Sequence, residues 1–290
     1  MDNGLVPGEI RLRVPDLGRS LAFYADFLGF RAKRTAPRLA ELSADGVTPL
    51  VVLEERPGAT VLPPQSHTGL YHVAFLLPER RFLGAFLARL LESRMPFGHA
   101  DHFVSEAIYI SDPDGNGIEI YCDRPRYGWA YDARGQVKMG TVPIDADGLL
   151  QEAEGASWDG MPERTAVGHV HLHVRDLDAS RAFYCGVLGF DLMLDWSRHG
   201  ALFIASGGYH HHIGLNVWAG RNAPSPPPDA AGLVYYTLVS RDRTAAESVV
   251  RRLRQNGVDA EPFEDAEADD DPVWSFRDPS GIEIRLKAEG

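Results

Sequence analysis

The sequence predicts an α+β protein made of four tandem βαβββ modules, and three observations lead to that fold class. GEIRLRVPDLGRSLAFYADFLGF, residues 8–30, aligns without a gap on GHVHLHVRDLDASRAFYCGVLGF, residues 168–190. GLYHVAFLL from Gly69 and GLVYYTLVS from Gly232 each open a further segment of common plan. Those two segments close on DPDGNGIEIYC and RDPSGIEIRL, in which turn-forming Asp, Pro and Gly precede an alternating strand.

Modules one and three each begin with an alternating strand and pass an aspartate, Asp16 or Asp176, placed to cap a helix. In the first copy Leu17, Leu21, Tyr24, Phe27 and Leu28 recur at helical spacing, and Gly29 or Gly189 gives the stop. Strands follow at 50–54 in the first copy and at 201–205 and 212–218 in the second. Module two continues from its first strand into a helix around 82–91, and module four into one around 245–256. Two linkers interrupt the modules: residues 124–167, and the proline-rich RNAPSPPPDAA from Arg221. By this count residues 6–124 form a first domain (modules one and two), 125–166 a linker, and 167–288 a second domain (modules three and four).

Bulk properties narrow the function. At 290 residues the chain can hold two domains with real cores. Its net charge of -12 disfavours nucleic acid or an anionic membrane surface as partner. Two cysteines, Cys122 and Cys185, give neither a disulfide framework nor a thiolate metal site. MDNGLVPGEI lacks the basic-then-apolar pattern of a signal peptide, and no segment approaches a transmembrane span. The expectation is a cytoplasmic protein. We also expect a homo-oligomer, although no residue pattern sets its size.

HFVSEAIYISDPDGNGIE, from His102 to Glu119, is the most informative stretch. It reads as strand, tight turn, strand. Alternation lets Ile118 and Ile120 face a core while Glu119 faces the other side. A carboxylate held mid-strand between apolar neighbours is costly to bury unpaired, and a cation is one way to offset that cost. A solvent-facing Glu on an edge strand is the plain alternative. A second pattern is the strand His169, Val170, His171, Leu172, His173, Val174, with three histidines on one face. That suits a polar cavity backed by a helix, or simply a solvent-facing strand. His72, alone among apolar residues, equally fits a hydrogen-bonded core position. His67, His99 and His199 read as surface or loop residues. The run His210-His211-His212 leads directly into IGLNVW, a strand that reads as buried.

The spacing from His102 to Glu119 resembles the signature of the extradiol ring-cleaving dioxygenases. Ala100 departs from the residues preferred two places before the histidine, but it carries no chemistry. The fourfold module, with its shared DL-x5-FY-x3-LGF blocks, resembles the vicinal-oxygen-chelate superfamily of glyoxalases, bleomycin-binding proteins and extradiol dioxygenases. The resemblance covers nearly the whole chain outside the long linker. It implies two eight-stranded, cup-like barrels, each of two modules, with helices outside.

The same resemblance implies where a metal would sit: on the first strand of each paired module and the last strand of one or both. The first strands offer Glu9, His72, His169 and Tyr235; the last offer Glu119 and Glu283. Two imidazoles and one carboxylate make the facial triad of non-haem Fe(II) enzymes, which only His72, His169 and Glu119 supply. Those three share a barrel only if module two pairs with module three, and module one with module four. Sequential pairing would instead offer His169, Tyr235 and Glu283. By resemblance, His102 is an acid–base or substrate-binding group, Tyr109 donates to a substrate or ligand oxygen, and His211 or His212 lies beside dioxygen, with His212 slightly favoured. The expected reaction is extradiol cleavage of a small aromatic diol, of catechol type, by O2 with an Fe(2+) cofactor. A glyoxalase-type Zn or Ni isomerase would need a fourth ligand where the alignment places Leu215. A metal-free binding protein of the bleomycin-resistance sort would not need the trio.

Overall fold

The computed structural model describes residues 4–263 and 272–289. Module one comprises β1 (Val6–Val14), α1 (Leu17–Leu21), β2 (Arg31–Ala36), β3 (Leu39–Ser43) and β4 (Pro49–Glu55). Module two comprises β5 (Gly69–Leu76), α2 (Arg80–Ser93), β6 (Gly98–Asp101), β7 (Ser105–Ser111) and β8 (Gly117–Asp123). The long linker carries a short helix, α3 (Ala146–Glu152). Module three follows with β9 (Ala166–His173), α4 (Leu177–Arg181), β10 (Asp191–Trp196), β11 (Ala201–Ala205) and β12 (Ile213–Asn216). Module four has β13 (Gly232–Ser240), α5 (Arg243–Gln255), β14 (Glu261–Pro262), β15 (Trp274–Arg277) and β16 (Glu283–Ala288).

These strands form two eight-stranded sheets that cross the sequence halves. One runs β14-β15-β16-β13-β1-β4-β3-β2, joining module four to module one. The other runs β10-β11-β12-β9-β5-β8-β7-β6, joining module three to module two. The joints are antiparallel, β1 on β13 and β5 on β9. The chain segments 6–124 and 167–288 therefore each supply half of both sheets.

Sequence neighbours are tied together differently. The Tyr24 hydroxyl, in module one, donates to Asp112 Oδ2 at 3.0 Å in the module-two turn. Tyr184 repeats the bond to Asp278 Oδ2 at 3.0 Å, from module three to module four. Each aspartate also accepts two backbone N–H groups of its own turn: Asp114 and Asn116 in one, Ser280 and Ile282 in the other. These buried carboxylates hold a turn and a helix at once.

The helix predicted after Asp16 differs from expectation. Asp16 caps α1 by accepting from the Arg19 amide, and Asp176 does the same for α4 with Ala179. Past Leu21 the backbone widens into a π-helical turn over Ala22–Phe27, and again over Ala182–Val187. Leu28 N donates to Phe23 O, five residues back, and Leu188 N to Phe183 O. Gly29 then ends the segment at φ +84, a conformation open to glycine. Apolar spacing does not separate the two helix types, because Tyr24, Phe27 and Leu28 face inward in either.

The core lies on the helix side of the sheets. Val170, Leu172, Ile118 and Ile120 join Phe75, Phe86, Tyr184 and Tyr236 there. The linker is packed rather than loose. Gly84 of α2 lies so close to Leu149 of α3 that a Cβ would collide with its carbonyl oxygen. No helix among the described residues is long and apolar enough to cross a membrane.

Candidate metal centre and its surroundings

Three adjacent central strands build the site. In register, Ala74 of β5 lies between His169 of β9 and Glu119 of β8. Residues two apart share a strand face, so His72 joins them on the side opposite Val73, Ile118 and Val170. Ala74 is fully buried and small, leaving room above it for larger neighbours. The three side chains converge: His72 Nε2 to Glu119 Oε2 is 3.1 Å, His169 Nε2 to the same oxygen 3.2 Å, and the two nitrogens are 3.4 Å apart. Ligands about 2.0–2.2 Å from one ion and at right angles are about 3 Å apart, so the donor set fits one cation. Among the described residues this is the one such group of three or more His, Cys, Asp or Glu.

Electrostatics favours the ligating forms. Burial pushes the His169 imidazole down to about 4, against the pull of Glu119, so it is neutral at pH 7. Burial alone would raise Glu119, but the adjacent imidazoles of His169 and His72 hold it well below the usual carboxylate range. It remains an anion.

Beside Glu119, on the next strand and directly opposite it, stands Tyr109. Its hydroxyl is 2.6 Å from His102 Nε2. His102 Nδ1 donates to the Gly140 carbonyl at 2.7 Å, and since a carbonyl only accepts, Nε2 can accept from Tyr109. Burial, with the nearby Glu119 charge, raises the Tyr109 hydroxyl well above its usual range, so it stays a donor. Gly140 belongs to the linker, which thereby fixes a residue of the site.

The other histidines sort by geometry. His211 packs on His169 with ring centroids 4.1 Å apart, and burial pushes it well below the usual imidazole range. His212 turns elsewhere: the Ser206 amide donates to its Nδ1 at 3.1 Å, and its ring stacks on Tyr209. Of the two, His211 is the one whose ring packs on His169. His171 packs edge-on to His72 and Tyr71, and His173 donates from Nδ1 to Asn216 Oδ1 at 2.6 Å. His67 lies in a loop, and His99 and His199 are exposed.

Leu215 needs a correction. It pairs with Leu172 and lies in the helix-side core, so it does not face the trio. The residue of β12 that does is Gly214, paired with His171, where an added Cβ would meet the imidazole. That position offers no side-chain donor.

Several contributors escaped the sequence reading. Trp129 and Val137 from the linker join Val104, Met193, Leu194 and Phe203 in an apolar cluster against the histidine wall. His210, fully buried, bonds to Asp123 and His211. The run of three histidines was the only available signal for His210. In the other sheet the equivalent residues are neutralised by neighbours. The Tyr235 hydroxyl donates to Glu9 at 3.1 Å, Lys287 pairs with Glu9, and Arg277 pairs with Glu283.

Comparison with known proteins agrees with this architecture. The profile of the Glyoxalase/Bleomycin resistance protein/Dioxygenase superfamily matches residues 7–120 and 166–286, and the chain belongs to that superfamily. It is 50% identical over 266 residues to a catechol-2,3-dioxygenase of Bacillus subtilis (strain 168), covering 92% of this chain and 93% of the relative. Its fold is similar to that of a Bacillus subtilis subsp. subtilis str. 168 crystal structure, with TM-score 0.67, 15% identity, and coverage of 99% and 86% of the two chains. Glyoxalase I from Zea mays is also similar in fold, with TM-score 0.57, 16% identity, and coverage of 98% and 92%.

Proposed function

We propose that the protein is a non-haem Fe(II) extradiol dioxygenase that opens catechol-type aromatic diols with O2. The observation that carries this reading is the convergence of His72, His169 and Glu119, with the Tyr109–His102 pair directly beside them. The 50% identical relative named catechol-2,3-dioxygenase supports the same assignment. Bound by these three residues, Fe(II) would supply open coordination positions for a chelating diol and for dioxygen, and a path for electrons between them.

The chain's own groups do the rest. With substrate bound, the Tyr109 hydroxyl turns its single hydrogen from His102 Nε2 to a substrate oxygen, which frees Nε2 to accept a proton. His102 takes or returns a proton through Nε2, its other nitrogen being anchored on Gly140. His211 packs on the ring of His169, beside the converging ligands. The cluster of Val104, Trp129, Met193 and Phe203 excludes water and receives an aromatic ring. A glyoxalase-type isomerase is the weaker reading, since Gly214 supplies no ligand opposite His171. We place the enzyme in the cytoplasm, as a homo-oligomer, with residues 6–124 and 167–288 as its sequence units.

The test is direct. Protein loaded anaerobically with Fe(II), then given catechol and oxygen, should turn yellow as the conjugated semialdehyde forms, whereas intradiol cleavage gives a colourless diacid. Hydrogen peroxide should inactivate it, and ascorbate with Fe(II) should restore it. A fully iron-loaded protein that consumes no oxygen with catechol, alkylcatechols or dihydroxybiphenyls would sink the reading.

A further inference from the structure

Behind the candidate metal centre runs a polar chain in which Asp123 and His210 have no role in the account above. Asp123 Oδ1 lies 3.0 Å from His210 Nε2, and His210 Nδ1 lies 2.7 Å from His211 Nδ1. The His211 ring packs on that of His169. His210 has no exposed surface, while Asp123 sits partly exposed at the end of β8. The Tyr209 hydroxyl donates to the same Asp123 oxygen at 3.1 Å, and the Tyr121 hydroxyl lies 2.8 Å from that of Tyr209. Space for the Tyr121 hydroxyl exists because residue 168 is glycine; a Cβ there would overlap it.

The protons in this chain follow from donor and acceptor arithmetic. A carboxylate only accepts, so His210 Nε2 must carry the hydrogen it shares with Asp123. Where His210 carries a single N–H, its Nδ1 is left as an acceptor. The 2.7 Å contact then takes its hydrogen from His211 Nδ1, and His211 Nε2 is left as a bare lone pair. We propose that Asp123 and His210 are positioning residues that hold His211 in its Nδ1–H tautomer, presenting a basic Nε2 to a proton-bearing substrate oxygen. The same logic fixes an imidazole by a buried carboxylate in hydrolytic triads. The role at the substrate rests on the dioxygenase reading; the tautomer does not.

Nitrogen-15 NMR of histidine-labelled full-length protein, metal-free and zinc-loaded, reports which nitrogen of His211 is protonated. The expected result is Nδ1–H in the wild type. His210→Phe should move the proton toward Nε2 and lower kcat by roughly 10–100-fold, with KM changed less than about twofold and iron content unchanged. His210→Asn, whose amide oxygen can take the place of Nδ1, should restore both tautomer and most of the turnover. If His210→Phe does not fold, Asp123→Asn gives the same reading, because its amide can donate to His210 and reverse every bond in the chain. A wild-type His211 protonated at Nε2 overturns the proposal, as does a folded His210→Phe that keeps both tautomer and turnover. If the wild type opens no diol, the dioxygenase reading fails, and the NMR result still decides the tautomer.

Discussion

The Tyr109 hydroxyl and His102 Nε2 are 2.6 Å apart, and the carbonyl that anchors the other side of the imidazole comes from Gly140 in the linker. One side chain is thus held between a strand residue and a segment from outside any module. His102→Phe should keep iron but lose roughly 10²–10⁴ in kcat, the usual contribution of a positioned acid–base group. Tyr109→Phe should cost less, about 1–3 kcal/mol of transition-state stabilisation for one hydrogen bond. Oxygen uptake normalised to iron content measures both, and near wild-type turnover of His102→Phe at every pH would reduce His102 to a structural residue.

Removing any of the three converging side chains should open the metal centre. His72→Ala, His169→Ala and Glu119→Gln should each fold but bind iron much more weakly, as read by metal analysis after dialysis. Full iron in His169→Ala would detach module three from the site.

His211 and His212 adjoin in sequence but face different surroundings, so their variants should differ in kind. His211→Ala should retain iron and lose turnover. His212→Ala removes the acceptor of the Ser206 amide and should instead lower thermal stability by about 1–3 kcal/mol. The opposite pattern would put His212 at the reacting oxygens.

Asp278 gives a pH-dependent test of the fold. Burial raises its carboxyl to about 6, against the hydrogen bonds from Ile282 and Tyr184. An aspartate in the unfolded chain titrates near about 3.9, so the folded state holds the proton more tightly. The associated stability is complete below about pH 4 and is lost as the pH rises through about 6. Asp278→Asn cannot ionise. Its stability relative to wild type should therefore improve by about 3 kcal/mol between pH 4 and pH 7, measured by urea unfolding across that range. A difference independent of pH would contradict the raised carboxyl.

Much of this was legible in the chain. Alternation placed Glu119 opposite Ile118 and Ile120, and the gapless repeat of residues 8–30 on 168–190 marked the modules. The ligand positions implied by the family resemblance pointed to module two meeting module three. What stayed hidden depends on long-range packing. Gly140 acts through its backbone carbonyl, which no residue type announces. Trp129 and Val137 read as linker because nothing local shows that they pack on Met193 and Phe203. Leu215 was misplaced because a face assignment shifts entirely with an error of one residue.

The crossed sheets have a consequence for how the chain is made. Arg11 finds its neighbour at Tyr235, and Ala74 waits for His169. Until those partners leave the ribosome, β1 and β5 each present an open hydrogen-bonding edge, the arrangement most exposed to pairing with another chain. A product terminated after residue 124 would carry two half-sheets and no closed one. The sheet of modules two and three can close once β12 is made, but the other must wait for β16, and such high sequence separation of contacts slows folding.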